Sequence, residues 1–285
     1  MHDAEKHELQ ERLALLASTP PTEPLASEAE SVVERLLSAL ERGDLRAAER
    51  ADDGVWRAVP WVKQGILLAF RAGRLVEMSP PDSPFHFFDK HTFPTQALDA
   101  SHGVRVVPGG STIRRGAYVA RGVVCMPPMY INVGAFVGEA TMIDSHALVG
   151  SCAQIGARVH LSAAAQVGGV LEPIHAAPVV IEDDVFVGGN CGVYEGTVVR
   201  ERAVLASGVI LTRAVPVFDL VRETVYRAAE GRPLEIPAGA VVVPGSRGVS
   251  SGWGAKQGLA LQTPVIVKYR DDGTDALTAL EEWLR

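Results

Sequence analysis

Cysteine is scarce in this chain: three in 285 residues, an odd number too small for a disulfide framework. Long apolar runs are missing as well. No stretch approaches 18 uninterrupted apolar residues, and the first ten residues, MHDAEKHELQ, are polar and charged. That pattern predicts neither a membrane span nor an export leader and makes the cytoplasm the expected location. Basic residues are outnumbered, 27 Lys and Arg against 34 Asp and Glu, for a net charge of −7. Such a balance gives no electrostatic basis for binding nucleic acid or an anionic membrane. Nothing resembles a phosphate-cradling glycine loop. Between residues 113 and 217 no two histidines stand five residues apart, as a close metal-binding pair would: His146, His160 and His175 are separated by 14 and 15. Metal catalysis is therefore not expected.

What the chain does have is a period of six. Ile113, Val119, Cys125, Ile131, Val137, Ile143, Val149, Ile155, Leu161 and Val167 recur in strict register. After a two-residue slip through EPIHAAPVV the series resumes as Ile181, Val187, Val193, Val199, Leu205, Leu211 and Val217. Six matches neither the 3.6-residue helix nor a lone strand of period two. It marks a hexapeptide solenoid, whose coils bury their apolar faces only by stacking. Three hexads make one triangular coil, with the aliphatic residue of each pointing inward. Gly116, Gly122, Gly134, Gly156, Gly188, Gly196 and Gly208 supply backbone freedom near the corners. Cys125 and Cys191 fall on inward positions and read as buried thiols, whereas Cys152 sits near a corner and is expected to be more exposed. Such a solenoid is either a non-catalytic scaffold or, more often, the frame of an acyltransferase.

The organisation expected is a mostly helical domain over residues 1–104, a β-helix over 105–245 and a C-terminal loop, strand and helix over 246–285. HELQERLALLAST and SEAESVVERLLSALERGD both carry helical apolar spacing. In the second, Ser27 and Glu30 suggest a capping box and Gly43 a stop. GVWRAVPWVKQGILLAFRAG predicts a short strand and a third helix, with Trp56, Trp61, Leu67, Leu68 and Phe70 as domain core. FHFFDK is expected to pack that domain against the solenoid. After the hexads, FDLVRETVYRAAEGRPLEIPAGA predicts an insertion, GVSSGWGAKQG a mobile stretch, TPVIVKYR a strand and TDALTALEEWLR a terminal helix.

The segments DGVWRAVPWVKQGILLAF, VRVVPGGSTIRRGAYVARG, GEATMIDSHALVGSCAQIGARVHLS and GGVLEPIHAAPVVIEDDVFVGG together resemble the tetrahydrodipicolinate N-succinyltransferase family. The resemblance implies a left-handed parallel β-helix and a homotrimer. It also implies a reaction of diaminopimelate and lysine synthesis in which the cyclic imine opens and the freed amine attacks succinyl-CoA. No acyl-enzyme is required, so a missing Ser-His-Asp set is no obstacle.

Carried onto this sequence, the resemblance implies that Arg105 and Asp144 contact the dicarboxylate and that Glu195 opposes Asp144. The residue types agree with those roles. An arginine grips a carboxylate through two parallel hydrogen bonds. Asp144 follows inward-facing Ile143, so it points outward, where it can take the proton of an attacking ammonium group if an interface buries it enough to strengthen it as a base. His146, two residues on, is the rival base. Lys268 in VIVKYR is the candidate for the CoA phosphates. Ile143 and Val193 are 50 residues apart, eight hexads once two slip residues are removed. Eight is not a multiple of three, so Asp144 and Glu195 fall on different faces, roughly 13 Å apart along the axis at the ordinary strand spacing. Two subunits must meet to bring them together. The Asp219–Glu235 region and SRGVSSGWGAKQG depart from the family pattern, leaving an acetyl donor or a related acceptor as the alternative.

Overall fold

A computed structural model describes residues 1–271 and Gly273. The expected terminal helix, Thr274–Arg285, lies outside the described residues. From Arg105 onward the chain winds as a left-handed parallel β-helix, and every hexad residue from Ile113 to Leu211 closes a two-residue strand. The strands stack into three flat faces. Face 1 carries the strands ending at Val106, Cys125, Ile143, Leu161, Val187 and Leu205. Face 2 carries those ending at Ile113, Ile131, Val149, Val167, Val193 and Leu211. Face 3 carries those ending at Val119, Val137, Ile155, Ile181, Val199 and Ile236. The inward residues form one continuous core in which nearly all are fully buried. Each such aliphatic side chain contributes about 1.5–3 kcal/mol of hydrophobic stabilisation.

Most corners hold a left-handed residue, and glycine supplies only some of them. Gly122 (φ 80°) and Gly134 (φ 74°) do so, but Ala140, His146, Cys152, Ala164, Asn190 and Glu195 adopt the same conformation. Gly156 and Gly188 are glycine for another reason: a Cβ at Gly156 would lie 2.3 Å from Asp183 Oδ1, and one at Gly188 2.5 Å from the Ser207 nitrogen.

The slip between Val167 and Ile181 is longer than the register suggests. Ile155 pairs with Ile181, 26 residues on, whereas Val137 and Ile155 are separated by 18. The insertion is thus eight residues, and the loop 168–179 leaves the corner between faces 2 and 3. Val217 is buried, but its strand (Val217–Asp219) leaves the prism to pair with Thr224–Tyr226 and with Val265–Ile266, and Glu235–Ile236 takes the vacated place on face 3. Face 1 is extended by Ala240–Gly248, which pairs antiparallel with Ala260–Tyr269.

Three helices, α1 (Asp3–Ala17), α2 (Ala29–Glu41) and α3 (Pro60–Ala72), form the N-terminal bundle. Its core is Leu9, Leu13, Leu16, Val33, Leu36, Leu37 and Ile66. The expected capping box is not formed: α2 begins one turn-residue later, with Glu28 as N-cap and no side-chain cap. Gly43 does adopt positive φ, at 72°. The bundle docks on the corner between faces 2 and 3, where Val133 and Cys152 join the helical core. Glu41 Oε1 accepts a hydrogen bond from the Gly116 nitrogen at 2.9 Å. Cys152 is therefore fully buried, contrary to expectation, and burial pushes its thiol up to about 12. FHFFDK does not cement the two parts, because Phe85, Phe87 and Phe88 are all exposed; only Asp89, paired with Arg114, ties the segment to the first coil. Trp56 is likewise no part of the helical core: its Nε1 donates to Glu182 Oε1 at 2.8 Å on face 3. Among the described residues no helix is long and apolar enough to cross a membrane. The GVSSGWGAKQG stretch is the tip of the long hairpin and holds a short helix, α4 (Gly252–Lys256).

Candidate active site

The hexad register sets where each candidate side chain projects. Asp144 lies just past Ile143, at the corner between faces 1 and 2, and is half-buried. Its Oδ1 accepts the Ser145 nitrogen at 2.7 Å, while its main chain is tied into the coil through Leu161 and Ala147. Oδ2 has no protein partner among the described residues. Glu195 lies at the next corner, between faces 2 and 3, exposed and in the left-handed conformation (φ 54°). Its Oε2 accepts the Arg213 nitrogen at 2.8 Å.

The two carboxylates thus flank face 2. With the insertion counted as eight, seven hexads separate Ile143 from Val193, not eight. The axial offset falls to about 11 Å at the strand spacing. The two residues remain on different corners, and a single prism keeps them apart. Arg105 is exposed on the first coil of face 1, in the column of Val124 and Met142. It shares a face with Asp144 and lies two coils below, about 10 Å along the axis. Lys268 is remote from both. It sits beside Val241 on the appended hairpin, its Nζ 3.2 Å from Asp271 Oδ1. His146 is exposed at the Asp144 corner, while His160 packs edge-on against Phe186, 5.0 Å between ring centres. Among the described residues no three His, Cys, Asp or Glu side chains are grouped to hold a metal.

Glu195 opens onto a groove of about 790 Å³, walled by the 168–177 loop, the Trp56–Ala58 strand, Tyr194, Arg213 and Gly231–Pro233. Its rim is rich in cations, with Arg57, Arg213 and Arg232 against Glu172 and Glu195, and His175 lies beside them. Tyr194 lies flat along face 2. A Cβ on Gly192 would come within 2.4 Å of its ring, so only glycine admits it there. The loop owes its shape to Lys63 of α3, which is fully buried and donates to the carbonyls of Pro173 (3.0 Å) and Ala176 (2.7 Å). Neither Lys63 nor Arg213 stood out in the sequence. Lys63 carried a signal nonetheless, a charge three residues before Ile66 on the apolar side of an amphipathic helix.

Two family models match. One described as tetrahydrodipicolinate N-succinyltransferase N-terminal covers residues 16–72, and one described as hexapeptide repeat of succinyl-transferase covers residues 178–213. The 2,3,4,5-tetrahydropyridine-2,6-dicarboxylate N-succinyltransferase of Polynucleobacter asymbioticus is 42% identical over 261 residues, 90% of this chain and 89% of its own length. That of Acinetobacter baylyi is 41% identical over 258 residues, 89% of this chain and 88% of its own. The chain belongs to the tetrahydrodipicolinate N-succinyltransferase family. A solved structure from Campylobacter jejuni, described as a 2,3,4,5-tetrahydropyridine-2-carboxylate N-succinyltransferase, superposes with a TM-score of 0.52 at 16% identity. It covers 86% of this chain, which spans 64% of it, and supports the fold. Membership of the N-succinyltransferase family agrees with the side chains assembled here: outward carboxylates at prism corners and a groove rimmed by arginines. The buried thiols of Cys125 and Cys152 are both pushed up to about 12, which removes them as nucleophiles at neutral pH.

Proposed function

We propose that the chain transfers the succinyl group of succinyl-CoA to the amine of ring-opened tetrahydrodipicolinate, a step of diaminopimelate and lysine synthesis. It acts in the cytoplasm as a homotrimer whose active sites lie between neighbouring prisms. The kinship over nine-tenths of the chain supports the reaction. The observation that carries the shared site is the placement of Asp144 and Glu195 at opposite edges of face 2. A corner carboxylate of one prism and the groove of the next complete each other only across an interface.

In this reading water adds across the C=N bond, assisted by Glu195, and the ring opens to a ketone and a free amine. Arg105 holds a substrate carboxylate. The amine nitrogen bonds to the thioester carbon, the C–S bond breaks, and the nitrogen's proton passes to Asp144 while the CoA thiolate leaves and takes one up. The protein's contribution is orientation and charge placement, not covalent catalysis. Lys268 meets the CoA phosphates by giving up Asp271.

The test is CoA release with tetrahydrodipicolinate and either succinyl-CoA or acetyl-CoA. Succinyl-CoA is expected to give the larger kcat/KM. A preference for acetyl-CoA moves the reading to an acetyltransferase, and no turnover with either donor refutes it in favour of a non-catalytic solenoid.

A further inference from the structure

One corner of the prism, between faces 3 and 1, carries neither Asp144 nor Glu195. There the Ala48–Arg50 and Trp56–Ala58 hairpin of the N-terminal part overhangs face 3 and encloses a cavity of about 370 Å³. That volume lies within the range of small-ligand sites.

Its centre is Arg46. The guanidinium lies over the Phe136 ring, 3.7 Å from the centroid, with Trp56 at 5.3 Å. Its Nε donates to Gln154 Oε1 at 2.9 Å. Gln154 is itself 1% exposed, and its amide nitrogen donates to the carbonyls of Cys152 and Ala153, so its oxygen can face only Arg46. The arginine is therefore held by its stem, its plane and its Nε. Neither Nη has a protein partner among the described residues. Two fixed N–H donors on one planar edge match a carboxylate. Burial outweighs the attraction of Glu49 and Asp183 and lowers the Arg46 pKa to about 10, as befits a cation short of a counter-ion.

The remaining acidic groups differ in how they are engaged. Glu182 is spoken for by Trp56, Arg200 and the Glu201 nitrogen, and Asp183 accepts the Ala157 nitrogen. Glu139 and Glu201 line the same cavity from the prism side, and their carboxylates have no hydrogen-bond or ion-pair partner among the described residues. A ligand with only negative charge meets these two carboxylates, and one with only positive charge meets Arg46. One carrying both charges satisfies each wall.

We infer that this cavity is a second binding site, for a small amino acid whose carboxylate lies on the Nη edge of Arg46 and whose ammonium faces Glu139 and Glu201. Bound there, the ligand joins the N-terminal part to the prism and stabilises their contact.

The experiment is calorimetric titration of the full chain with L-lysine, which carries both charges, beside glutarate and 1,5-diaminopentane, which carry one kind each. Saturable binding is expected for lysine, at least tenfold weaker for either control, and retained in Asp144→Ala, which excludes the active site as its source. Arg46→Gln and the pair Glu139→Gln with Glu201→Gln are each expected to weaken it at least tenfold. The glutamate pair serves if Arg46→Gln fails to fold, because the two glutamates are tied into the coil by main-chain bonds that the substitutions keep. Lysine failing to bind, glutarate binding as tightly, or affinity unchanged in the glutamate pair would each overturn the site.

Discussion

Asp144→Ala is expected to lower kcat by about 10² to 10⁴ while leaving the melting temperature close to that of the unchanged protein. The kinetic loss follows from the role of proton acceptor: the attacking nitrogen must shed a proton as it bonds to the thioester carbon. The modest stability effect follows from the local bonding. Asp144 Oδ1 serves only the nitrogen of its own neighbour, Ser145, and the coil is held at this point by main-chain bonds that the substitution keeps. His146→Ala is the matched control. His146 anchors its corner through its backbone, accepting from Gln166 and donating to Pro128, and its side chain is exposed. Activity within a few-fold of wild type is expected for it. A reversal, with His146→Ala disabled and Asp144→Ala active, would hand the base role to the histidine.

Lys63→Ala is expected to be the most destabilising single change near the groove, by about 3–5 kcal/mol, read from denaturant or thermal unfolding. Two costs combine. The cavity left by a fully buried four-carbon stem is one, and the loss of the donor to the Pro173 and Ala176 carbonyls is the other. Lys63→Met fills the space and leaves only the carbonyls orphaned, for about 1–3 kcal/mol. Because those carbonyls belong to the loop that walls the Glu195 groove, Lys63→Met is also expected to raise KM more than it lowers kcat. The pH dependence has a definite sign. Burial lowers the Lys63 pKa, so just below the ordinary lysine range the unfolded chain binds more protons than the folded one. Stability of the wild type relative to Lys63→Met should therefore rise as pH climbs towards the unfolded lysine value and level off below the folded one. A gap that narrows with rising pH would contradict a desolvated lysine.

Much of the prism was visible in the sequence because its period is set by geometry that tolerates little else. Ile143, Leu161 and Val187 must point inward at every turn of one face, and a polar residue there would cost more than its neighbours supply. The length of the 168–179 loop was not visible, and the reason is arithmetic. A register of six reports an insertion only modulo six, so eight residues and two look the same until Ile155 is seen to pair with Ile181. Asp144 and Glu195 fall on separate corners under either count, but eight hexads would put Val193 on face 3 and seven put it on face 2, so the corner of Glu195 changes along with the offset. Cys152 was misjudged because local pattern locates a corner but not what covers it, and α3 covers this one. Phe85, Phe87 and Phe88 differ in the opposite sense: three phenylalanines within four residues suggest a contact with the solenoid, yet all three are exposed. Arg46 and Lys63 come from a region with no period of its own, and their hydrogen-bond partners are more than a hundred residues away.

The shared site is tested most directly by co-expressing Asp144→Ala and Glu195→Ala chains and isolating the mixed trimers. Each variant alone should be nearly inactive. If Asp144 of one prism works with Glu195 of its neighbour, every mixed trimer contains one intact site, and random assembly restores about a quarter of wild-type activity. If both residues serve a site within one chain, every site in every trimer lacks one of them. Activity that stays at the level of the separate variants, with mixed trimers shown to be present, would contradict the account.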